Sequence, residues 1–423
     1  MTIKTTPTLA EAARFWLRLG VISFGGPAGQ IAIMHTELVE KRRWISEERF
    51  LHALNFCMVL PGPEAQQLAT YTGWMLHGIR GGVMAGALFV LPSALLLWAL
   101  SWLYMAGGSI PWIAAVFYGL QPAVIALVAT AVLRIGSKAL KTRFLWALAG
   151  LAFVAIFFLK ISFLWIILCA AALGWLGGRR GLLPPAKSTD PDEPPAQRIP
   201  KRQTLKTAVV CVMLWAAPVV LAGLAFGWNS LFVQQGIFFS KAALVTFGGA
   251  YAVLPYVAQQ AVENYGWLST NQMMSGLALA ETTPGPLIMV LQFVGFAGAW
   301  QNPGTLSPLL AGTLAAGITT WVTFLPSFLF ILAGAPHMER LRHAKGFSFA
   351  LSGITAAVVG VILNLAVWFG LHAFFPAPGK PDYFVMAMSV VFFLGLRKGR
   401  WGVIPVVLAG GGAGLLAKLI FGL

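Results

Sequence analysis

Charge is scarce in this sequence: only 10% of its 423 residues are charged, and just 13 are acidic. Hydrophobic residues make up 58%, and the mean hydropathy is +0.79. A soluble chain of this length could not bury so much apolar surface, which excludes a soluble globular protein. Uncharged runs typical of membrane-spanning helices occur at residues 83–100, 208–226 and 386–396. The composition therefore predicts an all-α polytopic membrane protein.

Motifs that carry chemistry are also few. Cys57, Cys169 and Cys211 lie in separate apolar segments, without the spacing of a disulfide framework or a zinc site. The sequence has no phosphate-binding loop, no His/carboxylate cluster and no Gly-x-Ser-x-Gly motif. We therefore expect no enzyme activity, no cofactor, no metal and no ATP hydrolysis. The first apolar run carries Arg14 and Arg18 and lacks a small-residue cleavage pattern, so no signal peptide is predicted.

The formal net charge of +16 raises the question of nucleic-acid binding. The distribution of the charge argues against it, because the basic residues cluster in short loops beside hydrophobic runs, as in cytoplasmic loops of membrane proteins. These clusters are residues 41–43, 134–143, 179–206, 340–345 and 397–400. No nucleic-acid partner is expected.

A stretch rich in proline and charge divides the chain at residues 177–206. It has neither a helical nor a strand period, which is typical of a linker. We predict an N-terminal repeat over residues 1–176, a cytoplasmic linker over 177–206 and a C-terminal repeat over 207–423.

The two halves share a repeated pattern at a fixed offset of 223 residues. Eleven identities fall in the 40 positions from Phe24 to Pro63 without a gap, including Phe-Gly-Gly at 24 and 247 and Pro-Gly-Pro at 61 and 284. Beyond an insertion, Leu-Pro-Ser at 91 recurs at 325. So many identities at one fixed offset, among them Gly and Pro motifs, are not expected by chance, and they indicate an internal duplication.

The loop charges predict that the halves are inverted. Lys41, Arg42 and Arg43 separate the two glycine motifs of the first half, whereas residues 264–266 of the second half carry no Lys or Arg. The reverse holds after Leu-Pro-Ser, where residues 106–111 are neutral and residues 340–345 are basic. Because positive loops stay on the cytoplasmic side, the two halves should have opposite orientations.

The glycines and prolines indicate broken helices. The apolar run before Pro61 spans residues 50–60, about 16 Å of helix, which is roughly half a bilayer core. We predict that each half contains two re-entrant hairpins broken at its Phe-Gly-Gly and Pro-Gly-Pro motifs. Such breaks at matching positions of inverted halves indicate a transport site. The alternative is kinked but complete spans packed through glycine.

Complete spans are predicted beside the hairpins. In the first half they cover about 83–105, 111–133, 144–159 and 161–176; in the second half they cover about 208–228, 309–332, 347–369, 384–396 and 401–420.

An anion would suit these breaks, because a break exposes backbone N–H groups at the start of the next half-helix. Arg18 precedes Phe24 by six residues and Lys241 precedes Phe247 by six, beside the polar residues Ser23 and Thr246. A cation in an apolar segment is a functional candidate. The alternative is that these side chains extend to the membrane interface.

The carboxylates beside the breaks are candidate proton carriers. Glu64 follows Pro-Gly-Pro directly, and Glu281 lies three residues before Pro284. A carboxylate near the membrane midplane is costly when charged, which favours proton binding. The alternative is a pairing with a basic residue or a helix N-terminus. Neutral hydrogen-bond donors for an oxyanion would come from Gln66, Gln67, Thr282 and Thr283.

The order of these motifs carries a family resemblance. The stretches "SFGGPAGQIAIMHTELVEKRRWISEERF" and "VLPGPEAQQLATYTGWMLHG", with the second copies "TFGGAYAVLPYV" and "ETTPGPLIMVLQFVGFAGAW", resemble the chromate ion transporter family in its long two-domain form. The resemblance covers both halves outside the linker. The family's motif residues correspond to Phe24, Gly25, Gly26, Pro27, Pro61, Gly62 and Pro63, and to Phe247, Gly248, Gly249, Pro284, Gly285 and Pro286. Ala250 stands where the first half has Pro27, so a less sharp second break is expected.

The resemblance implies a secondary carrier in the bacterial inner membrane that exports chromate and confers chromate resistance, with sulfate as an isosteric competitor. The membrane potential, proton antiport or both would drive it. Three alternatives stay open: uptake of sulfate or another oxyanion, an anion channel, and a membrane-embedded enzyme. Membrane lipid is an expected partner, and the choice between a monomer and a homodimer is open.

Overall fold

The computed structural model describes residues 7–24, 26–108, 110–183, 201–334, 345–377 and 379–421. In these residues the chain forms helices and no β-strand. The helices are α1 Leu9–Ile22, α2 Gly26–His35, α3 Glu47–Cys57, α4 Glu64–Gly107, α5 Pro111–Ala139, α6 Arg143–Phe157, α7 Phe163–Arg179, α8 Lys201–Phe226, α9 Leu231–Leu244, α10 Ala250–Ala258, α11 Thr270–Thr282, α12 Val290–Gln301, α13 Pro308–Leu332, α14 Lys345–Phe374, α15 Tyr383–Arg397 and α16 Val403–Phe421.

Six helices of the described chain are long and apolar enough to cross a membrane, which confirms the predicted polytopic class. The predicted spans coincide with the second part of α4, with α5–α8 and with α13–α16, and the largest differences lie at the ends of three helices. α5 continues past residue 133 to Ala139, α8 begins at Lys201, and α14 continues past residue 369 to Phe374. The predicted linker is therefore helical at both ends, since α7 runs to Arg179, and residues 184–200 of it lie outside the described residues.

The first half begins with two hairpins that enter and leave on the same side. α1 runs inward from Pro7 to Ser23, and α2 returns, so that Arg42 lies 4.9 Å from the ring of Phe15 in the middle of α1. α3 runs inward again, and the chain then returns along residues 64–76 to His77, whose ring bonds to the carbonyl of Pro7 at 2.7 Å. Both breaks therefore lie at the inner ends of half-length helices, as predicted.

α4 is two antiparallel arms rather than one rod. Its backbone leaves the helical region at His77 and at Gly78, where φ is +62°. As a result, Gly82 packs against Thr70 of the first arm. The second arm, residues 79–107, is the first segment that crosses to the opposite face.

The second half repeats this arrangement. Short π-helical turns follow α2 at Thr36–Lys41 and α10 at Gln259–Asn264, again 223 residues apart. Gln301, at the end of α12, donates a hydrogen bond to the carbonyl of Trp267, which precedes α11. The Trp-x-Ser motif caps both inner hairpins: Ser46 and Ser269 each accept a backbone N–H in the first turn of α3 and of α11.

The halves are inverted, as the loop charges predicted. The second arm of α4 and α13 lie antiparallel: Trp98 donates a hydrogen bond to Thr313 near the start of α13, whereas Leu332 at its end lies beside Gly82. The inversion needs an odd number of crossings between the halves. Among the described helices, α8 lies between the two halves and supplies the extra crossing.

The helices α5–α7 and α14–α16 form a scaffold in which helices of one half pack against helices of the other. α7 packs against α14, and α16 packs against α5 in the equivalent way. A Cβ at Gly353 would lie 2.7 Å from the Cα of Gly174, and a Cβ at Gly119 would lie 2.7 Å from the Cα of Gly414. Small residues allow this close approach of helices in a membrane.

Candidate functional site

The breaks of the two halves are joined to each other by backbone hydrogen bonds. The N–H of Gly62 donates to the carbonyl of Thr246 at 2.7 Å, and the N–H of Gly285 donates to the carbonyl of Ser23 at 2.7 Å. Each Pro-Gly-Pro motif thus pairs with the Phe-Gly-Gly segment of the other half. The exchange brings four broken helix ends, far apart in sequence, into one central region.

Glycine is required between the two prolines for steric reasons. Gly62 has φ +124° and Gly285 has φ +100°, which L side chains rarely adopt. A Cβ at Gly62 would lie 2.8 Å from the hydroxyl of Ser327, and one at Gly285 would lie 2.8 Å from that of Ser93. The Leu-Pro-Ser motif therefore packs against the Pro-Gly-Pro motif of the opposite half. Pro61, Pro63, Pro284 and Pro286 flank these glycines, and of the four only Pro61 is not buried.

The Phe-Gly-Gly segments form sharp turns in both halves. Gly26 has φ +70°, while Gly248 and Gly249 have φ +80° and +92°. The second break is therefore fully formed although Ala250 replaces Pro27. Phe24 and Phe247 are half-buried beside the turns, and Gly25 lies outside the described residues.

The predicted hydroxyl donors bond mainly within their own helices. Ser23 donates to Leu19 and Thr246 to Ala242, both at 2.6 Å. Thr282 and Thr283 likewise donate to carbonyls of α11. With the N–H groups of Gly62 and Gly285 also engaged, an anion at the breaks would meet the other N–H groups of the helix starts.

Three buried glutamines line the central region. Gln30, which sequence reasoning did not single out, donates to the carbonyls of Ser23 at 3.3 Å and Gly285 at 2.5 Å. Gln67 donates to the carbonyl of Pro61 at 2.7 Å, and Gln66 donates to Thr70 at 3.1 Å. The side-chain oxygens of all three glutamines have no partner in the described chain. Each glutamine thus bonds within the protein and leaves an acceptor unused.

The two carboxylates occupy different settings. Glu64 is the first residue of α4, and its Oε1 atom lies 4.0 Å from where a Cβ of Gly249 would be, at the start of α10. A carboxylate there interacts favourably with the α10 dipole, the alternative considered from the sequence. Glu281 lies in the last turn of α11 and accepts a hydrogen bond from the hydroxyl of Tyr251.

Arg134 is a functional candidate that the sequence did not reveal. The basic cluster at 134–143 indicated a loop, but α5 extends to Ala139 and carries Arg134 on it. Its side chain lies beside Tyr251 and interacts electrostatically with both Tyr251 and Glu281. The sequence could have indicated this, because the long apolar helix before Arg134 can continue past the last apolar residue.

Arg18 and Lys241 do not point into the buried central region. Both side chains are exposed and have no hydrogen bond or ion pair among the described residues. Each lies on a stripe of exposed apolar residues, with Leu17 and Val21 on α1 and with Ile237 and Leu244 on α9. Their role in binding an anion stays a prediction.

Known proteins are similar to this chain in both halves. The chromate transporter family matches residues 10–175 and 233–415. The chain is 34% identical to a chromate transport protein of Pseudomonas aeruginosa, over 96% of this chain and 91% of that protein. It is 30% identical to a chromate transport protein of Cupriavidus metallidurans, over 86% of this chain and 84% of that protein.

A further relative corresponds to part of the chain only. A transporter of Bacillus subtilis, YwrB, is 29% identical over 36% of this chain and 75% of its own length. No solved structure matches this chain. The family match spans both halves, and the chain belongs to the chromate transporter family.

Proposed function

We propose that this multi-pass membrane protein exports chromate from the bacterial cytoplasm as a secondary carrier in the inner membrane, and so confers chromate resistance. The observation that carries the proposal is the exchange of backbone bonds between the inverted breaks, Gly62 with Thr246 and Gly285 with Ser23. Non-helical backbone persists at membrane depth only where protein buries it or where it lines a polar cavity. Paired breaks between inverted repeats are the arrangement expected of a transport site.

The side of the membrane follows from the loops. The face at which α1 begins also holds Arg42, Arg80, Lys141 and Arg179. The opposite face carries few cations, such as Lys160 and Lys380 in its loops. By the positive-inside rule the basic face is cytoplasmic. The hairpins of the first half then open toward the cytoplasm and those of the second half toward the outside.

Packing around the hairpins supports an alternating-access mechanism. α10 and α11 of the second half pack against the scaffold helices α14 and α5, whereas α3 packs extensively only against α4 among the described helices. The first-half hairpins are thus separated from the scaffold on the cytoplasmic side. We assign this arrangement to a cytoplasm-open state. Exchanging the packing of the two halves gives the outward-open state.

The membrane potential suffices as a driving force for a dianion. It contributes about 2.3 kcal/mol per charge per 100 mV, or roughly 4.6 kcal/mol for two charges leaving an inside-negative cell. Proton antiport through Glu64 or Glu281 would add to this. Both residues lie at helix ends beside the breaks, where a protonation change alters the local charge.

The substrate assignment rests on the relatives, two of which are named chromate transport proteins. Sulfate, also a tetrahedral dianion, is the proposed competitor. Membrane lipid is the proposed partner of the exposed apolar side chains. A homodimer is the assembly to be tested, by light scattering of the detergent-solubilised protein.

Chromate flux into everted membrane vesicles tests the proposal. In everted vesicles export becomes uptake into the lumen, so an imposed lumen-positive potential should drive saturable chromate accumulation that sulfate inhibits. Vesicles without the protein are the control. Flux lost in Glu281→Gln at normal protein levels would identify that carboxylate as part of the cycle.

Three results would contradict parts of the proposal. Flux of sulfate alone would overturn the substrate. Flux that runs only toward the cytoplasmic side would overturn the direction. Unitary single-channel currents would replace a carrier by a channel.

A further inference from the structure

A side-chain hydrogen bond connects the two breaks of the second half. Tyr251 is the second residue of α10, just after the glycine turn, and Glu281 lies three residues before Pro284. The tyrosine hydroxyl donates to Oε1 of the glutamate. Tyr251 is only 8% exposed, so this bond lies largely within the protein.

Arg134 of α5 completes a cluster of three groups. Its side chain is close enough to interact electrostatically with both the Tyr251 hydroxyl and the carboxylate of Glu281. α5, which carries Arg134, packs against α11, which carries Glu281. Because Arg134 is also exposed, its guanidinium is accessible to an ion.

The first half folds without such a cluster. The positions that correspond to Tyr251 and Glu281 are Ala28 and Met58, and Trp368 of α14 corresponds to Arg134 of α5. The same hairpins, turns and cross-half bonds form in both halves. The cluster is therefore not a requirement of the repeat fold, which indicates a task that only one half performs.

We propose that Arg134 and Tyr251 form an oxyanion-binding subsite on the cytoplasmic side, with Glu281 as its internal competitor. The inference rests on the proposed function and names a binding site for the tetrahedral dianion. The guanidinium is a planar fork that pairs with two oxygens of such an ion. The Tyr251 hydroxyl donates to a third oxygen.

In the empty site the carboxylate of Glu281 accepts the hydrogen bond of Tyr251 and interacts electrostatically with Arg134. An arriving dianion has to displace it. Removing the donor and removing the competitor should therefore change anion affinity in opposite directions. A purely structural cluster would lose affinity in both cases.

Equilibrium binding of radiolabelled sulfate and of chromate to the purified full-length protein tests this at fixed ionic strength. Arg134→Ala should weaken binding of both anions by about tenfold or more, because a bidentate charged pair is lost. Arg134→Lys, which keeps the charge but not the fork, should fall between Arg134→Ala and the wild type. Glu281→Gln should bind more tightly than the wild type.

Lys138→Ala is the matched control, since Lys138 is an exposed cation one turn further along α5 and should leave affinity unchanged. Wild-type affinity in Arg134→Ala, or weaker binding in Glu281→Gln at an unchanged unfolding temperature, would overturn the subsite and leave the proposed function standing. A wild-type protein that binds neither anion would overturn the proposed function and the subsite with it.

Discussion

The same hairpin occupies two environments in this protein. In α3 of the first half, Leu51 is 44% exposed and Asn55 is exposed, and Met58, directly after the helix, is 55% exposed. In α11 of the second half, the residues that correspond to Leu51 and Asn55 are Met274 and Ala278, both fully buried. The two helices have matching caps and matching breaks. The difference therefore lies in what packs against them.

Lipid does not explain the exposure of the polar residue Asn55. Lipid cannot hydrogen-bond the amide of Asn55 or the non-helical backbone at the adjacent breaks. Water or another protein surface can. The second-half hairpins pack on the scaffold helices and α3 does not, which is the asymmetry that the proposed alternating-access cycle requires.

The two halves share the joint between the breaks, which consists of the backbone hydrogen bonds from Gly62 to Thr246 and from Gly285 to Ser23. Substitutions in this joint should have the largest effect on stability and flux. Gly62→Ala and Gly285→Ala each place a Cβ at a strained φ and against a buried serine. We expect each to cost on the order of 2–5 kcal/mol. Loss of flux together with a lower thermal unfolding temperature in detergent is the expected outcome.

Gly150→Ala is the control for these variants. No atom lies within 4 Å of a Cβ at this position of α6, and alanine favours a helix by about 0.5–1 kcal/mol over glycine. The unfolding temperature should stay the same or rise. An unchanged unfolding temperature in both Gly62→Ala and Gly285→Ala would show that the joint between the halves is not a constraint.

The parts of the fold that the sequence predicts are those with a local signal. Phe-Gly-Gly and Pro-Gly-Pro indicate backbone that cannot continue a helix, and the basic loops set the orientation. The spans follow from unbroken apolar runs. These features need no knowledge of which helices are neighbours.

The contacts between distant segments could not be predicted in the same way. The bond from Gly62 to Thr246 depends on how two halves dock, and no residue letter encodes it. The sequence indicated a loop at Arg134 because the apolar run ends at residue 133, whereas α5 continues to Ala139. Ser23 and Thr246 were predicted near the site, but the direction of their hydroxyls depends on the local helix ends.

The smallest predicted effect concerns a charge difference between the halves. Glu37 binds Lys41 at 2.7 Å, whereas the corresponding residue of the second half is Gln260. The hydrogen bond from Lys41 lowers the pKa of Glu37, although partial burial opposes this, and the charges of Lys41 and Arg42 add to it. Because the pKa of Glu37 is lower in the folded protein than in the unfolded chain, the ionised carboxylate stabilises the fold at pH values above its ordinary pKa. This stability is lost as the pH falls through the pKa of Glu37 in the folded protein.

Glu37→Gln makes the first half resemble the second. We expect the free energy of unfolding to fall by roughly 0.2–1 kcal/mol near pH 7, as for an exposed ion pair. Thermal unfolding measures this change. The difference from the wild type should vanish below the lowered pKa of Glu37. A difference that persists in acid would mean that the pair is not the cause.

Thiol accessibility of α3 and α11 tests the central comparison most directly. In a variant with Cys57, Cys169 and Cys211 replaced by alanine, Asn55→Cys and Ala278→Cys provide repeat-matched probes. We expect a membrane-impermeant maleimide, added to everted vesicles, to label position 55 at least about tenfold faster than position 278, because a thiol reacts only where it is accessible. Equal protection of both positions would contradict a cytoplasm-open first half.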